Sequence, residues 1–354
     1  MLIGVARRLL GMLVTLFGVA VIIFVVLRLL PGNAVTAQLG VSAGLLSHAQ
    51  IVALDHYYGV GEPFFQQFGS WLGAIFTGNL GVSLTSRTSV ASLVGAALPI
   101  TLELAIASMI IGELIGVLFG VFGALKPGRL VDDAGRGVSV VGLGVPSFII
   151  GTGLVTFLAS EFHYFPSSEG FASLTQDPWL NLQQIFFPAL TLGLGIGADM
   201  MRTTRAAMLE VIGLNYARTA RGKGLSKRVV TWKHLFLGAL VPVTTMSGIQ
   251  LGYLLGGTVI VEQIFVLPGL GRLLITSINE RDFPVVQTVT LIFAAGFIIV
   301  NMLTDVLYTV IDPRTRESCP SPVPSPSRRR RALRSNAAPG PNAATPPARP
   351  DGAR

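Results

Sequence analysis

Charged and amide side chains inside apolar segments are the residues of this chain that could carry chemistry. Long apolar stretches contain Glu103, Glu113, Asp199 and Asn301. An ionisable group near the centre of a bilayer costs about 2.5–3.5 kcal/mol on insertion scales, so such groups line a water-filled path or satisfy a neighbouring helix. The sequence leaves both interpretations open for Glu113. Asp199 lies three residues before Arg202 on the same helical face, so an ordinary intrahelical ion pair is its simplest role.

No catalytic or metal-binding motif is found in the sequence. Gly222-Lys223 is not a P-loop, because position 217 is Ala and Gly224 stands where Ser or Thr is required. Gly-x-Ser-x-Gly and His-Glu-x-x-His do not occur. The four histidines lack ligand spacing, and Cys319 is the single cysteine. The sequence therefore predicts no enzyme site, no metal site and no cofactor bound by this chain.

The most informative segment is the basic connection between residues 202 and 234. Ala217, Ala220 and Gly224 are spaced three and four apart, which predicts one smooth helical face with Arg218 and Arg221 on the face beside it. A short helix of this kind suits a groove on a partner protein. An amphipathic loop that binds lipid headgroups is the alternative. The candidate site consists of Tyr216, Ala217, Arg218, Thr219, Ala220, Arg221, Gly222, Lys223, Gly224 and Leu225.

The elements that must position these residues are membrane-spanning helices. Only 12% of the residues are charged, about half the usual share of a soluble domain, and mean hydropathy is +0.65. A bilayer core requires about 20 mostly apolar helical residues. The sequence therefore predicts an all-α membrane protein, with six spans near residues 9–30, 100–125, 138–159, 185–201, 235–261 and 285–311. The first is expected to be an uncleaved helix rather than a signal peptide.

The distribution of basic residues predicts the orientation. Of the 26 Lys and Arg residues, 22 lie in the N-terminus, the second-to-third and fourth-to-fifth connections and the tail. The positive-inside rule then places both termini in the cytoplasm and residues 33–95, 160–184 and 262–284 outside. This asymmetry explains the pI of about 10.1 without nucleic acid as a partner.

Glycines recur at every fourth position in two of the predicted spans. A spacing of four places small residues on one helix face, so that two backbones can approach closely in lipid. We expect helix packing at Gly112, Gly116, Gly120, Gly248, Gly252 and Gly256.

The tail, residues 317–354, is rich in Pro and Arg and is expected to be disordered in the cytoplasm, outside the permease domain of residues 1–316. Its basic run at 328–331 could contact anionic lipid headgroups. A solvated tail that only reinforces the orientation is the alternative.

The segment from Tyr216 to Leu225, followed by Lys233-His234-Leu235, resembles the so-called EAA loop. That loop is typical of permease subunits of binding-protein-dependent ABC importers. The match is closest to the B-type permease of the dipeptide/oligopeptide and nickel branch, and Thr219 stands where the wider family has Glu. Further matching pieces occur in the family's order over residues 5–316: 27–32, 78–83, 98–104, 262–271, 281–284, 301–308 and 312–314.

The resemblance implies a type I importer (MetI-like) permease fold and alternating access. A homologous C-type permease would complete the path, and two ATPase subunits would bind ATP and Mg and receive the helix at about 213–227. An extracytoplasmic binding protein would deliver di- or oligopeptides to the outer loops. The alternatives are a permease for nickel or another small solute, an intramembrane enzyme that uses Glu113 or Asp199, and a scaffold that does not transport.

Overall fold

The computed structural model describes residues 2–29, 63–164 and 170–311. The tail 317–354 and most of the first predicted outer loop lie outside the described residues. The described part is helical apart from turns and one isolated bridge between Val82 and Ser89. Its helices are α1 (Leu2–Leu29), α2 (Phe64–Phe76), α3 (Val90–Leu125), α4 (Leu130–Gly144), α5 (Ser147–Phe162), α6 (Pro178–Ile212), α7 (Asn215–Gly222), α8 (Lys227–Val229), α9 (Phe236–Ile264), α10 (Leu270–Asn279) and α11 (Phe283–Ile311). A π-helical segment, Val230–Leu235, joins α8 to α9.

The centre of the fold is a glycine-based contact between α3 and α6. A Cβ added to Gly112 would lie 2.6 Å from Cγ2 of Ile196, and one added to Gly120 would lie 2.7 Å from Cβ of Thr204. Between them, a Cβ on Gly116 would lie 2.8 Å from the carbonyl oxygen of Gly197. Such distances leave no room for a side chain, so the packing role predicted for these three glycines is confirmed.

The pairing of α3 with α6 also determines the number of crossings. Residue numbers rise together along the contact, so the two helices run parallel. The chain must therefore cross back between them, and α4 with α5, bent by 101° at the break, is the segment available for that crossing. Five other helices are long and apolar enough to cross a membrane, so the described part accounts for six spans if α4 and α5 count as one bent span.

The third span differs from the single helix predicted over residues 138–159. It is interrupted between Gly144 and Ser147, where Pro146 has φ −57° and ψ 141° and precedes the first turn of α5. A proline ring clashes with helical backbone before it, which is why α4 ends here. The prediction of one continuous helix was wrong at this point.

The second glycine series packs α9 against α11 in part. A Cβ on Gly248 would lie 2.6 Å from Oγ1 of Thr304, and one on Gly252 would lie 3.0 Å from Cε2 of Phe297. Since one number rises while the other falls, these helices are antiparallel. Gly256 has no atom within 4 Å of an added Cβ, so the prediction of packing at this glycine was wrong. The contact between the two helices continues instead through Leu255, since a Cβ on Gly296 would lie 3.5 Å from its Cδ1 atom.

The helix directions define two ends of the bundle. At one end, called the loop end, α3, α6 and α11 finish, α9 begins and α7 lies. At the other, called the anchor end, α3, α6 and α11 begin, α9 finishes and α10 lies. Two short helices thus lie at opposite ends: α7 at the loop end, between α6 and α9, and α10 at the anchor end, between α9 and α11.

Candidate functional site

The predicted docking segment forms α7, an eight-residue helix at the loop end. It begins after Leu214, which has extended backbone, and no side chain caps its N-terminus. Ala217 and Ala220 are 0% and 5% exposed and belong to a cluster with Ala207, Met208 and Val211 of α6. The hydroxyl of Tyr216 lies directly over Gly238, where a Cβ would collide with it. The alanines and this aromatic ring therefore seat α7 on its own chain.

This seating decides which of the two helical faces can meet a partner. The smooth face of Ala217 and Ala220 points into the protein and cannot be the one that enters a partner's groove. The exposed face carries Arg218 and Arg221, which form no ion pair with another described residue. Small residues are needed on the inner face because α7 approaches α6 closely, which a pattern of spacing alone does not reveal.

The chain leaves α7 through a turn that requires glycine. Lys223 is the C-cap of α7. Gly224 follows with φ +71°, a left-handed conformation that costs other residues about 1–2 kcal/mol. The hydroxyl of Ser226 then accepts a 3.4 Å hydrogen bond from the backbone N–H of Val229 and caps α8. Every residue from Arg221 to Val229 is exposed, including Gly222 and Leu225. This stretch, with Arg218 and Thr219, forms one continuous solvent-facing surface.

The four candidate pathway residues are not gathered at one place by any contact in the structure. Asp199 accepts a hydrogen bond of 2.9 Å from Nε2 of Gln250 on α9 and pairs with Arg202 at 3.1 Å, which confirms the predicted ion pair. Glu113 is half-buried and has no hydrogen bond or ion pair to another described residue. Asp199 thus joins two spans.

The other two candidates, Glu103 and Asn301, differ in their exposure. Glu103 is half-buried near the anchor end of α3, and Asn301 is exposed on α11. Asn301 forms no hydrogen bond within the described part of the chain. Glu113 and Asn301 are therefore the candidates with polar groups available to a substrate or to another subunit.

A buried carboxylate at the anchor end is a structural residue that the sequence analysis did not select. Glu262, 0% exposed, accepts hydrogen bonds from the backbone N–H groups of Gly271 (2.7 Å) and Arg272 (3.1 Å) in the first turn of α10. The Thr101 hydroxyl donates to Glu262 at 2.7 Å and accepts from the N–H of Leu270 at 2.8 Å. Three otherwise orphaned donors at the start of α10 are thereby satisfied.

The carboxylate of Glu262 lies so close to the backbone at Gly269 and Gly271 that neither position has room for a side chain. A Cβ on Gly269 would lie 2.5 Å from Oε2 of Glu262, and one on Gly271 would lie 2.9 Å from the same oxygen. The sequence signal was present in Leu267-Pro268-Gly269-Leu270-Gly271-Arg272, which reads as the start of a helix after a turn. The acid that caps that helix, however, lies on the preceding span.

A second buried acid, Asp282, connects two loops at the anchor end. Its carboxylate accepts a hydrogen bond from the Ser83 hydroxyl and one of 3.3 Å from the N–H of Leu84. Asp282 is 2% exposed, and Ser83 lies 199 residues away along the chain. The Gly78–Ser83 element and the loop before α11 are thus held together by one carboxylate.

Comparisons with known proteins support one assignment. The family described as "Binding-protein-dependent transport system inner membrane component" matches residues 116–317. A second description, "Binding-prot-dependent transport system membrane comp, N-term", matches residues 1–105. Together the two matches include all of the described spans except parts of α3.

Curated relatives are similar over nearly their full length. A protein of Escherichia coli named "Glutathione transport system permease protein GsiC" is 38% identical over 313 residues, which is 88% of this chain and 98% of that protein. Proteins of the same name from Salmonella choleraesuis and Shigella flexneri are 38% and 37% identical over the same shares.

Solved structures give weaker similarity. A chain of the MetNI methionine ABC transporter in inward-facing conformations is 16% identical, with a TM-score of 0.48 over 63% of this chain and 97% of that one. A chain of an amino acid ABC transporter with histidines has a TM-score of 0.46 at 16% identity, over 63% of this chain and 94% of that one.

Proposed function

Because this chain belongs to the family of binding-protein-dependent transport system inner membrane components, and so is a multi-pass inner-membrane permease subunit of an ABC importer, we propose that it forms half of a path for short peptides. The chain is a transport subunit and not an enzyme. ATPase and substrate-binding partners follow from its family.

The peptide substrate rests on the relatives. They are named for the transport of glutathione, a small peptide-like thiol, and they match 98% of their length to this chain. A short peptide carries both charges at neutral pH, and acidic groups such as Glu113 attract its ammonium group. Nickel uptake has no comparable support, since no group of three or more His, Cys, Asp and Glu side chains that could hold a metal ion occurs among the described residues.

The single observation that carries the coupling mechanism is the exposed basic face of α7 on an alanine seat. We infer that the loop end is cytoplasmic and that Arg218, Arg221 and Lys223 enter a groove of an ATPase subunit. Because Ala217 and Ala220 seat the helix against α6, a push on the exposed face toward α6 is carried into a continuous 35-residue helix. ATP and Mg would be held by the partner subunits.

The remaining partners follow from the same proposal. A second, homologous permease of the C type would supply the other wall of the path, beside the free polar groups of Glu113 and Asn301. The binding protein would dock at the anchor end, where Glu262 and Asp282 give the outer loops one fixed arrangement. Binding of ATP would then open the path outward, and hydrolysis would reset it.

Uptake by the reconstituted complex tests the substrate. The chain is purified from its own cells with its partners, placed in vesicles with ATP inside, and supplied with its binding protein and labelled glutathione, a labelled dipeptide or Ni²⁺. ATP-dependent uptake of either peptide supports the proposal. Uptake of Ni²⁺ alone, or of neither peptide by an active ATPase complex, contradicts it.

Two matched lysines test the docking face. Lys223 follows α7 and Lys126 follows α3, and both are exposed C-caps at the loop end. Lys223→Glu is expected to reduce co-purification of the ATPase about tenfold or more, because like charges in a docked interface cost several kcal/mol. Lys126→Glu should leave co-purification unchanged. Equal losses in both variants would contradict docking through α7.

A further inference from the structure

A buried ion pair at the loop end connects α6 to the broken third span. Asp132, on the first turn of α4, is 0% exposed. Its carboxylate accepts hydrogen bonds from Arg205 of α6 in a two-pronged arrangement, Nε to Oδ1 at 2.6 Å and Nη2 to Oδ2 at 3.0 Å. Arg136 donates at 2.7 Å and the N–H of Gly128 at 2.9 Å. One carboxylate thus joins α6, α4 and the turn after α3.

The backbone of α3 makes room for this pair. A Cβ on Gly123 would lie 3.2 Å from Oδ1 of Asp132 and 3.7 Å from Cδ of Arg205. Any side chain there would press on both partners. The buried acid is therefore enclosed by three segments, and it has all the donors that a charged group requires away from water.

The position of Arg205 relates this pair to α7. Two residues further along α6, Ala207 begins the surface that seats α7, followed by Met208 and Val211. A displacement of α7 therefore reaches Arg205 through less than two turns of uninterrupted helix. The ion pair is the next connection, from α6 to α4.

The chemistry of the connection differs from that of the packing around it. Apolar contacts are non-directional and allow helices to slide. Two parallel N–H···O bonds from a planar guanidinium fix both distance and orientation. A span that is broken at Pro146 lacks continuous backbone hydrogen bonding, so its loop-end half requires such an attachment to follow its neighbour.

We propose that Asp132 and Arg205 are positioning residues that make α4 move as one body with α6 when α7 is displaced. This inference rests on the proposed coupling function of α7, although it does not depend on the substrate. Loss of the pair leaves α7 and its alanine seat intact, while the broken span no longer follows α6.

Distances between spin labels test the one-body motion directly. Cys319 is replaced by Ser, and labels are attached at Gly137→Cys on α4 and Glu210→Cys on α6, two exposed positions. In the assembled complex the label distance should stay as one narrow distribution with and without ATP. Asp132→Asn should broaden or shift it between the two states. Asp133→Asn is the matched control, because Asp133 is exposed and its carboxylate has no partner in the described part of the chain.

Transport per ATP hydrolysed gives the functional result. In Asp132→Asn, and in Arg205→Lys, which keeps the charge but loses the two-pronged geometry, the ratio should fall roughly two- to thirtyfold. Asp133→Asn should match the wild type.

Unchanged label distances in both variants would overturn the proposal. Failure of both variants to assemble would also overturn it, since the pair would then serve assembly alone. Absence of peptide uptake in the wild type would refute only the peptide substrate, because the label distances need no substrate.

Discussion

The two short helices α7 and α10 perform similar connecting tasks and are held by opposite kinds of interaction. α7 has no side-chain cap and lies on Ala217 and Ala220. α10 begins on the carboxylate of Glu262 and the hydroxyl of Thr101, which accept from its first three N–H groups. An apolar seat is non-directional, whereas a set of buried hydrogen bonds fixes orientation.

Under the proposed coupling function, this difference matches different mechanical demands at the two ends. A helix that receives force from a partner benefits from a seat on which it can adjust without breaking hydrogen bonds. A surface that a binding protein must recognise benefits from fixed loops. The two ends thus differ in the free energy needed to displace α7 or α10, and mutations can measure that difference.

The largest effect is expected at Glu262. Glu262→Ala leaves two N–H groups of α10 and the Thr101 hydroxyl without their acceptor in a buried place, at a cost of roughly 3–5 kcal/mol. At about 2–4 °C per kcal/mol, the unfolding midpoint in detergent should fall by about 10 °C. Gln263→Ala, at the exposed neighbouring position, should shift the midpoint little. Equal midpoints for the two variants would show that α10 is held by its apolar contacts instead.

The contrast also explains which parts were predictable from the sequence. The α7 segment is local, with its pattern contained in ten residues, and was found from spacing and charge. Which of its faces points inward could not be predicted, because burial of Ala217 depends on α6 and α9. The acid Glu262 lies 161 residues from Thr101, and no periodicity relates the two.

The fold shows the same division between local and distant causes. Long apolar runs and the glycines at 112, 116 and 120 indicated the spans and their closest contact. The break at Pro146 was missed, although a proline after Gly144 was a visible signal. The apolar residues on both sides of Pro146 predicted one helix, because hydropathy indicates the length of an apolar segment and not whether its helix is continuous. The partner of Asp132 could not be predicted, since Arg205 is one of eight basic residues in the predicted connection between residues 202 and 234.

An intermediate effect is expected at the alanine seat. Ala220→Asp places a charge against Val211 and Met208 with no donor nearby, so α7 should leave its seat at a cost of several kcal/mol. Trypsin cleavage after Arg221 in the isolated subunit should then accelerate by about a hundredfold or more, since cleavage follows the open population. Thr219→Asp, on the exposed neighbouring position, is the matched control and should be cleaved at the wild-type rate. An unchanged cleavage rate in Ala220→Asp would mean that α7 is already free of its seat in the wild type.

The smallest effect, and the finest test of how loosely α7 is held, concerns the turn that ends it. Gly224→Ala places a Cβ at φ +71° with no neighbouring atom within 4 Å, so the cost is backbone strain alone, about 1 kcal/mol. Trypsin cleavage of the loop should accelerate by about fivefold. Gly222→Ala is the control, because Gly222 lies in the last turn of α7 with equally open space, where alanine favours the helix and should slow cleavage slightly. If both substitutions slowed cleavage, the turn would not limit the opening of α7, and the alanine seat alone would set its stability.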